Sequence, residues 1–362
     1  MSASQTRLTL KSNPLGRLLL WSASLAYGLG AWLRRYSYEL GVFKSATVNT
    51  RVVCFGNITT GGTGKTTAVI LAAKTLAEHG IKTAIISRGY KRIEQTKEPV
   101  ILSDNTPTDW EKAGDEPFLM HEALREYQIP VVVCPDRVSG AQAVLNNFQN
   151  QVILMDDGFQ HYRLYRDTDI VLMDAQNPFG EDALLPLGLL REPLSALTRA
   201  NAILLTHCDQ VSAEKIEETK ARLSQICPGI PVILSEHQPE YYLDVCSASK
   251  QPLDHISGPV TVLSGIGDPD SFETTLKDLK LDLKQIWRYP DHHPYTMEEL
   301  KSAQALRNGL PLITTYKDFT RFPKEWRTVF TDSVYVLSVH LQITEGESEW
   351  LKAIYPRLAS KK

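Results

Sequence analysis

Residues 51–67, RVVCFGNITTGGTGKTT, constrain the fold more than any other stretch. Val52 to Phe55 reads as a short buried strand, Gly56 to Gly64 as a glycine-rich turn, and Lys65-Thr66-Thr67 opens an apolar run, Ala68 to Ala77, that reads as a helix. Strand, glycine loop, Gly-Lys-Thr and helix in this order form a phosphate-cradling P-loop. Backbone N–H groups of the turn face the phosphates, and the helix N-terminus adds partial positive charge. Lys65 can reach the β- and γ-phosphates, and the Thr66 hydroxyl can meet Mg²⁺. The strict pattern wants glycine five residues before Gly64, where Thr59 stands. The nucleotide contacts are therefore expected from Thr59, Thr60, Gly61, Gly62, Thr63, Gly64, Lys65, Thr66 and Thr67.

A P-loop belongs to a mostly parallel α/β sheet, and the following sequence supplies its strands. Lys82–Ser87, Pro99–Ser103, Ile129–Cys134, Gln151–Met155, Asp169–Met173, Ala202–Thr206 and Pro231–Leu234 are apolar runs of strand length. Arg88-Gly89-Tyr90 reads as the exit loop of the first, and Asp104–Asp109 as a polar loop. The run at 151–155 ends in Asp156-Asp157, the acids that a P-loop site uses to hold the metal's water shell. Asp115-Glu116, after Gly114, are first-turn acids of an expected helix from Phe118 to Tyr127. Asn177 to Pro193 is a long apolar loop in which Arg191 can meet phosphate and Glu192 can hold Arg191. His207 stands where a guanine-reading Thr-Lys-x-Asp motif has lysine, which argues against GTP. Ser212 is expected to cap a helix to Ile226.

A change of character near Glu236 suggests a domain boundary. Tyr241–Cys246 after His-Gln-Pro-Glu reads as a hairpin-like linker over 236–250, and a second, smaller α/β unit follows over 251–362. Thr296 and Glu299 have capping-box spacing. Asp291-His292-His293 is the most reactive-looking cluster of this half. Its spacing suits a general base or phosphate contact better than a single metal.

Leu18 to Leu33, LLLWSASLAYGLGAWL, is uncharged, preceded by Arg17 and followed by Arg34-Arg35. At 1.5 Å per residue it reaches about 24 Å, short of a ~30 Å hydrocarbon core. Leu18, Trp21, Leu25, Leu29 and Trp32 form one apolar stripe, and with basic flanks they predict a membrane-associated helix within residues 1–40. The P-loop domain then occupies 41–235. Among 362 residues with net charge −3, nothing points to nucleic acid. Five scattered cysteines without a C-x-x-C pair suit free thiols in a reducing compartment.

Taken in order, GNITTGGTGKT (56–66), SRGY (87–90), GDEP (114–117), PDR (135–137), DDGFQH (156–161), LREP (190–193), GIGDPDSF (265–272) and DHHPY (291–295) resemble the tetraacyldisaccharide 4'-kinases of the lipid A pathway in Gram-negative bacteria. The likeness covers nearly the whole chain. GKTT in place of a more usual Gly-Lys-Thr-Pro, and Tyr316 in TTYKD (314–318), depart from the family pattern.

The resemblance implies a P-loop kinase with two α/β lobes and an N-terminal membrane helix, working at the cytoplasmic face of the inner membrane. Its expected reaction moves the ATP γ-phosphate to the 4'-hydroxyl of a lipid-linked glucosamine disaccharide 1-phosphate, with Mg²⁺ as cofactor and no obligate protein partner. On that reading Lys65 serves transfer as well as binding, Thr66 with Asp156 or Asp157 holds the metal, and Glu116 joins the metal's acids. Asp115 is the expected general base and His292, from the second lobe, its partner. Arg137, His161, Arg191 and Glu192 match further active-site positions. Two other classes compete: a P-loop GTPase or metallochaperone-type regulator, and an ATP-dependent partition protein.

Overall fold

The computed structural model describes residues 3–89, 92, 96–104 and 109–358. Tyr90 of the expected exit loop and residues 105–108 of the expected polar loop lie outside them. The chain divides into two compact units, one of 1–88, 134–236 and 343–362, the other of 89–133 and 237–342.

Unit 1 is built on six parallel strands in the spatial order Val232, Ala202–Thr206, Thr168–Asp174, Arg51–Asn57, Val152–Asp156 and Thr83–Ser87, the first being the start of a long strand, Val232–Asp244. The interior strands are buried along almost their whole length. A parallel sheet covered on both faces needs such unbroken apolar runs, which is why they stand out in the sequence. Helices Lys65–Glu78, Arg137–Asn147, Ala213–Ile226 and Glu347–Ile354 belong to this unit. Trp350 of the last meets the P-loop strand edge-on at Phe55, ring centroids 5.9 Å apart.

Unit 2 carries a parallel sheet ordered Leu281–Arg288, Gly258–Ser264, Leu312–Thr315 and Val334–Glu345. One face packs Val260, Val262, Phe272, Leu276 and Ile313, the other Leu263, Tyr295, Leu300, Leu312 and Phe330. Thr296 and Glu299 form the expected capping box on helix Met297–Leu306. The segment 89–133 adds an antiparallel pair, Val100–Leu102 with Val131–Val133, and helix Asp115–Ala123.

Three expectations change. The division is discontinuous rather than a single cut at 235, because strands Val232–Asp244 and Val334–Glu345 each carry the chain from one unit into the other. The hairpin-like linker over 236–250 is replaced by one uninterrupted strand through Pro239. The turn comes later, where Ser249–Gln251 folds back antiparallel onto Tyr242–Asp244. The strands Val100–Leu102 and Val131–Val133, within the runs at 99–103 and 129–134, belong to unit 2 and pair antiparallel.

Pro14–Glu39 is one helix, with Asn13 accepting the Gly16 N–H and Pro14 at its first position, where its missing N–H costs nothing. Its buried residues are Gly16, Leu20 and Ser24, a narrow seam at four-residue spacing. Ser24 Oγ donates to the Leu184 carbonyl at 3.0 Å and Tyr27 Oη to the Arg191 carbonyl at 3.1 Å. The apolar stripe of Leu18, Trp21, Leu25, Leu29 and Trp32 points away, each 46–59% exposed. Among the described residues no helix is long and apolar enough to cross a membrane.

Candidate active site

Strand Arg51–Asn57 delivers the P-loop, and in-register pairing sets Phe55 beside Asp156 at the end of the neighbouring strand. A side chain at Gly56 would sit 2.5 Å from Phe159 Cβ, so only glycine lets the P-loop strand and the DDGFQH turn approach this closely. Asn57 ties the loop together. Its Nδ2 donates to Thr63 Oγ1 at 3.0 Å, and its Oδ1 accepts from Arg191 Nη1 at 2.9 Å.

Thr59, the residue in the glycine position, is buried and forms an isolated antiparallel bridge with Leu190. Thr60 N–H donates to the Leu189 carbonyl at 2.8 Å and Arg191 N–H to the Ile58 carbonyl at 2.6 Å. The 177–193 loop thus braces the start of the P-loop, and Thr59 has no positive φ that would call for glycine. Helix Lys65–Glu78 then begins from Gly64.

Around this loop the charges converge. Asp157, in the left-handed region at φ 46°, receives Arg191 Nη1 at 2.9 Å and lies 3.8 Å from Lys65 Nζ. Burial raises its carboxyl pKa, but Lys65 and Arg191 outweigh that and hold it below the usual carboxylate range. Asp156 is buried, with Ser87 Oγ donating to its Oδ2 at 2.9 Å. Arg137 is buried too, and its two terminal nitrogens donate to the carbonyls of Cys134 and Asp156, leaving Nε without a protein partner.

A cavity of about 560 Å³ opens here, and Arg34, Arg88, Arg137, Arg191, Asp157 and His161 are among the side chains that line it. His161 Nε2 and Gln160 Oε1 are further buried atoms without protein partners. Burial and the nearby Arg137 push His161 down to about 4, so its ring is neutral near pH 7. A basic pocket with an orphaned donor at Arg137 Nε fits a polyanion such as a nucleoside triphosphate. Thr66, Asp156 and Asp157 offer only oxygen donors, the set a hard cation such as Mg²⁺ takes. Among the described residues no group of three or more His, Cys, Asp or Glu side chains converges as a preformed metal cage.

Glu192 does not hold Arg191. Its carboxylate receives Arg199 through both terminal nitrogens, at 2.9 and 3.1 Å, and the Tyr162 hydroxyl at 2.9 Å. Arg191 turns to Asp157 while Glu192 turns to Arg199.

The second group of candidates lies in unit 2. Helix Asp115–Ala123 starts at Asp115, earlier than expected, because Gly114 at φ 93° makes the turn that admits it. Asp115 is 4% exposed, and its Oδ2 lies 2.8 Å from His292 Nδ1 and 3.6 Å from Arg321 Nε. Burial alone would raise its pKa, but His292, Lys317 and Arg321 together bring it below the ordinary carboxylate value, so it is ionised at neutral pH. His292 holds φ 63°, fixed by its N–H on the Gly265 carbonyl at 3.1 Å. Arg321 Nη2 donates to the same carbonyl and to the buried Asp318.

Asp115 and His292 therefore come from one unit, not from two lobes. Glu116, expected at the metal, accepts from Lys317 Nζ at 3.0 Å. His293 faces Glu299 instead, 3.0 Å away. Sequence reasoning missed Lys317, Arg321, Arg199 and Tyr162. Lys317 lies within TTYKD and Tyr162 directly follows DDGFQH, whereas Arg199 and Arg321 lie in none of the motifs.

The family model described as LpxK, tetraacyldisaccharide-1-P 4'-kinase, matches residues 16–356. A tetraacyldisaccharide 4'-kinase of Elusimicrobium minutum is 50% identical over 99% of this chain and 97% of its own length. One from Halothermothrix orenii is 35% identical over 88% of this chain and 86% of its own. The crystal structure of LpxK from Aquifex aeolicus in complex with ATP aligns with a TM-score of 0.73 and 29% identity, covering 94% of this chain and 99% of that one. The chain belongs to the tetraacyldisaccharide 4'-kinase family.

Proposed function

We propose that the chain transfers the γ-phosphate of ATP to the 4'-hydroxyl of a tetraacyl glucosamine disaccharide 1-phosphate, as a step of lipid A synthesis at a membrane surface. The observation that carries this reading is the buried, ionised Asp115 bonded to His292 in a chain that also holds a P-loop. A P-loop alone serves any nucleoside triphosphatase; a paired carboxylate serves a hydroxyl acceptor.

In this reading the P-loop amides and Lys65 seat the phosphates, and Arg191 and Arg137 supply positive charge to the group in flight. Thr66, Asp156 and Asp157 would hold Mg²⁺, which when bound neutralises the β- and γ-phosphate oxygens. The acceptor oxygen attacks the γ-phosphorus, the bond to the β-phosphate oxygen breaks, and ADP leaves. The hydroxyl proton passes to Asp115. Glu116 stays with Lys317.

The outward apolar stripe of helix Pro14–Glu39, flanked by Arg17, Arg34 and Arg35, would lie in the interface of an anionic leaflet. Exposed apolar area this continuous is costly in water, and each acyl CH₂ drawn out of the bilayer costs about 0.8 kcal/mol, so enzyme and acceptor would meet at the surface. ATP supply sets the cytoplasmic side.

The test is acceptor dependence of nucleotide turnover. Expected is ADP release from ATP only when the lipid disaccharide is present in micelles. Brisk GTP hydrolysis without lipid would instead favour a regulatory GTPase.

A further inference from the structure

Lys317 is the second residue of the short helix Tyr316–Thr320 and touches the Asp115–His292 pair at His292. Its ammonium is 3.0 Å from Glu116 Oε1, 3.4 Å from Asp291 Oδ1 and 3.3 Å from His292 Nε2. Burial opposes its charge, but Glu116, Asp115 and Asp291 outweigh burial and raise its pKa, so it is an ammonium at neutral pH. All these residues lie in unit 2.

An ammonium has three donors and no acceptor. A contact with His292 Nε2 is therefore bonding only when that nitrogen presents its lone pair. A neutral imidazole carries one proton, so it then sits on Nδ1, aimed at Asp115 Oδ2, 2.8 Å away. A rival arrangement is at hand. Asp291 Oδ2 lies 3.5 Å from the same Nε2 and would accept a proton there. With the proton on Nε2, the Nδ1 lone pair would face the Asp115 carboxylate, and the bond that orients the base would be lost.

We propose that Lys317 is a positioning residue for phosphoryl transfer: by donating to Nε2 it selects the Nδ1–H form of His292 over the form Asp291 would favour, and so keeps His292 bonded to Asp115. Its second contact, to Glu116, fixes the ammonium from the first turn of the helix that carries Asp115. The inference about turnover rests on the kinase reading above; the inference about the proton does not.

The experiment uses full-length protein in detergent micelles with ¹⁵N-labelled histidine rings, His292 being assigned by comparison with His292→Asn. In the unsubstituted protein the neutral ring is expected to show a protonated Nδ1 and a lone pair on Nε2. Lys317→Met, close in shape but without a donor, is expected to move the proton to Nε2 and to lower kcat at least about tenfold with the KM for ATP unchanged. Lys317→Arg, which keeps a donor, is expected to restore both the ring signature and part of kcat. A proton on Nε2 in the unsubstituted protein overturns the proposal whatever the variants do. Loss of turnover in Lys317→Met with the ring signature unchanged also overturns it, since it would mark a merely structural lysine. Absence of lipid phosphorylation with the ring as expected would count against the kinase reading alone.

Discussion

Asp115 Oδ2 and His292 Nδ1 stand 2.8 Å apart although 177 positions separate them in the chain. Arg321, 1% exposed at its side chain, lies 3.6 Å from the same carboxylate oxygen and anchors the turn that holds His292. The pair is thus held from behind by a buried cation, and the carboxylate stays charged without being used up in a bidentate ion pair.

If Asp115 takes the acceptor proton, Asp115→Asn and His292→Ala should each lower kcat by about 10²-fold or more, the usual contribution of a positioned acid–base group. ATP binding to unit 1 groups should persist, measured by titration with a fluorescent ATP analogue. Near-normal kcat in both variants would remove the pair from the mechanism.

Lys65 and Arg191 both reach Asp157. Lys65→Ala should weaken ATP binding and turnover together. Arg191→Ala should mainly reduce kcat, because a guanidinium that neutralises the group in flight acts most in the transition state. Steady-state kinetics with varied ATP separates the two.

The Glu192–Arg199–Tyr162 cluster makes a stability prediction instead. Glu192 is buried, and removing it as Glu192→Ala leaves the Arg199 guanidinium without its carboxylate, at a cost on the order of 3 kcal/mol. Tyr162→Phe deletes only one hydrogen bond to that carboxylate and should cost about 1 kcal/mol. Urea unfolding followed by circular dichroism reads both.

His161 sets a pH dependence. Its folded-state pKa lies near 4 against an ordinary 6.5, so between those values the unfolded chain binds the extra proton. Stability is therefore complete above about 6.5 and falls as pH drops toward 4. The ring is only partly buried, so solvent screening keeps its share below the full value of the shift, on the order of 1–2 kcal/mol. His161→Gln should flatten the curve over that window while Asp115, whose pKa is depressed, still contributes a loss at lower pH. Equal slopes for the two proteins in denaturant titrations would show that the fold does not hold His161 neutral.

The parallel sheet of unit 1 was legible because strands covered on both faces must be apolar throughout, as 52–55, 152–155 and 170–173 are. The P-loop, the Asp156-Asp157 strand end and the Thr296 cap were legible because each depends on local chemistry. The long strand through Pro239 was not, since proline and its polar neighbours look like a turn and only pairing partners distant in sequence keep the chain extended. The excursion of 89–133 into unit 2 was equally hidden: short runs such as 100–102 carry no mark of which sheet receives them. Arg321 and Lys317 escaped notice because their roles arise from contacts with residues 115 and 116, about 200 positions away, and isolated cations resemble any solvated surface.

Purified full-length protein in detergent, with ATP and Mg²⁺, should convert tetraacyldisaccharide 1-phosphate into a bisphosphate whose new ³¹P resonance couples to the 4' position, with one ADP formed per product. Folded protein that binds ATP yet leaves the disaccharide unphosphorylated would rule out phosphate transfer to the lipid hydroxyl.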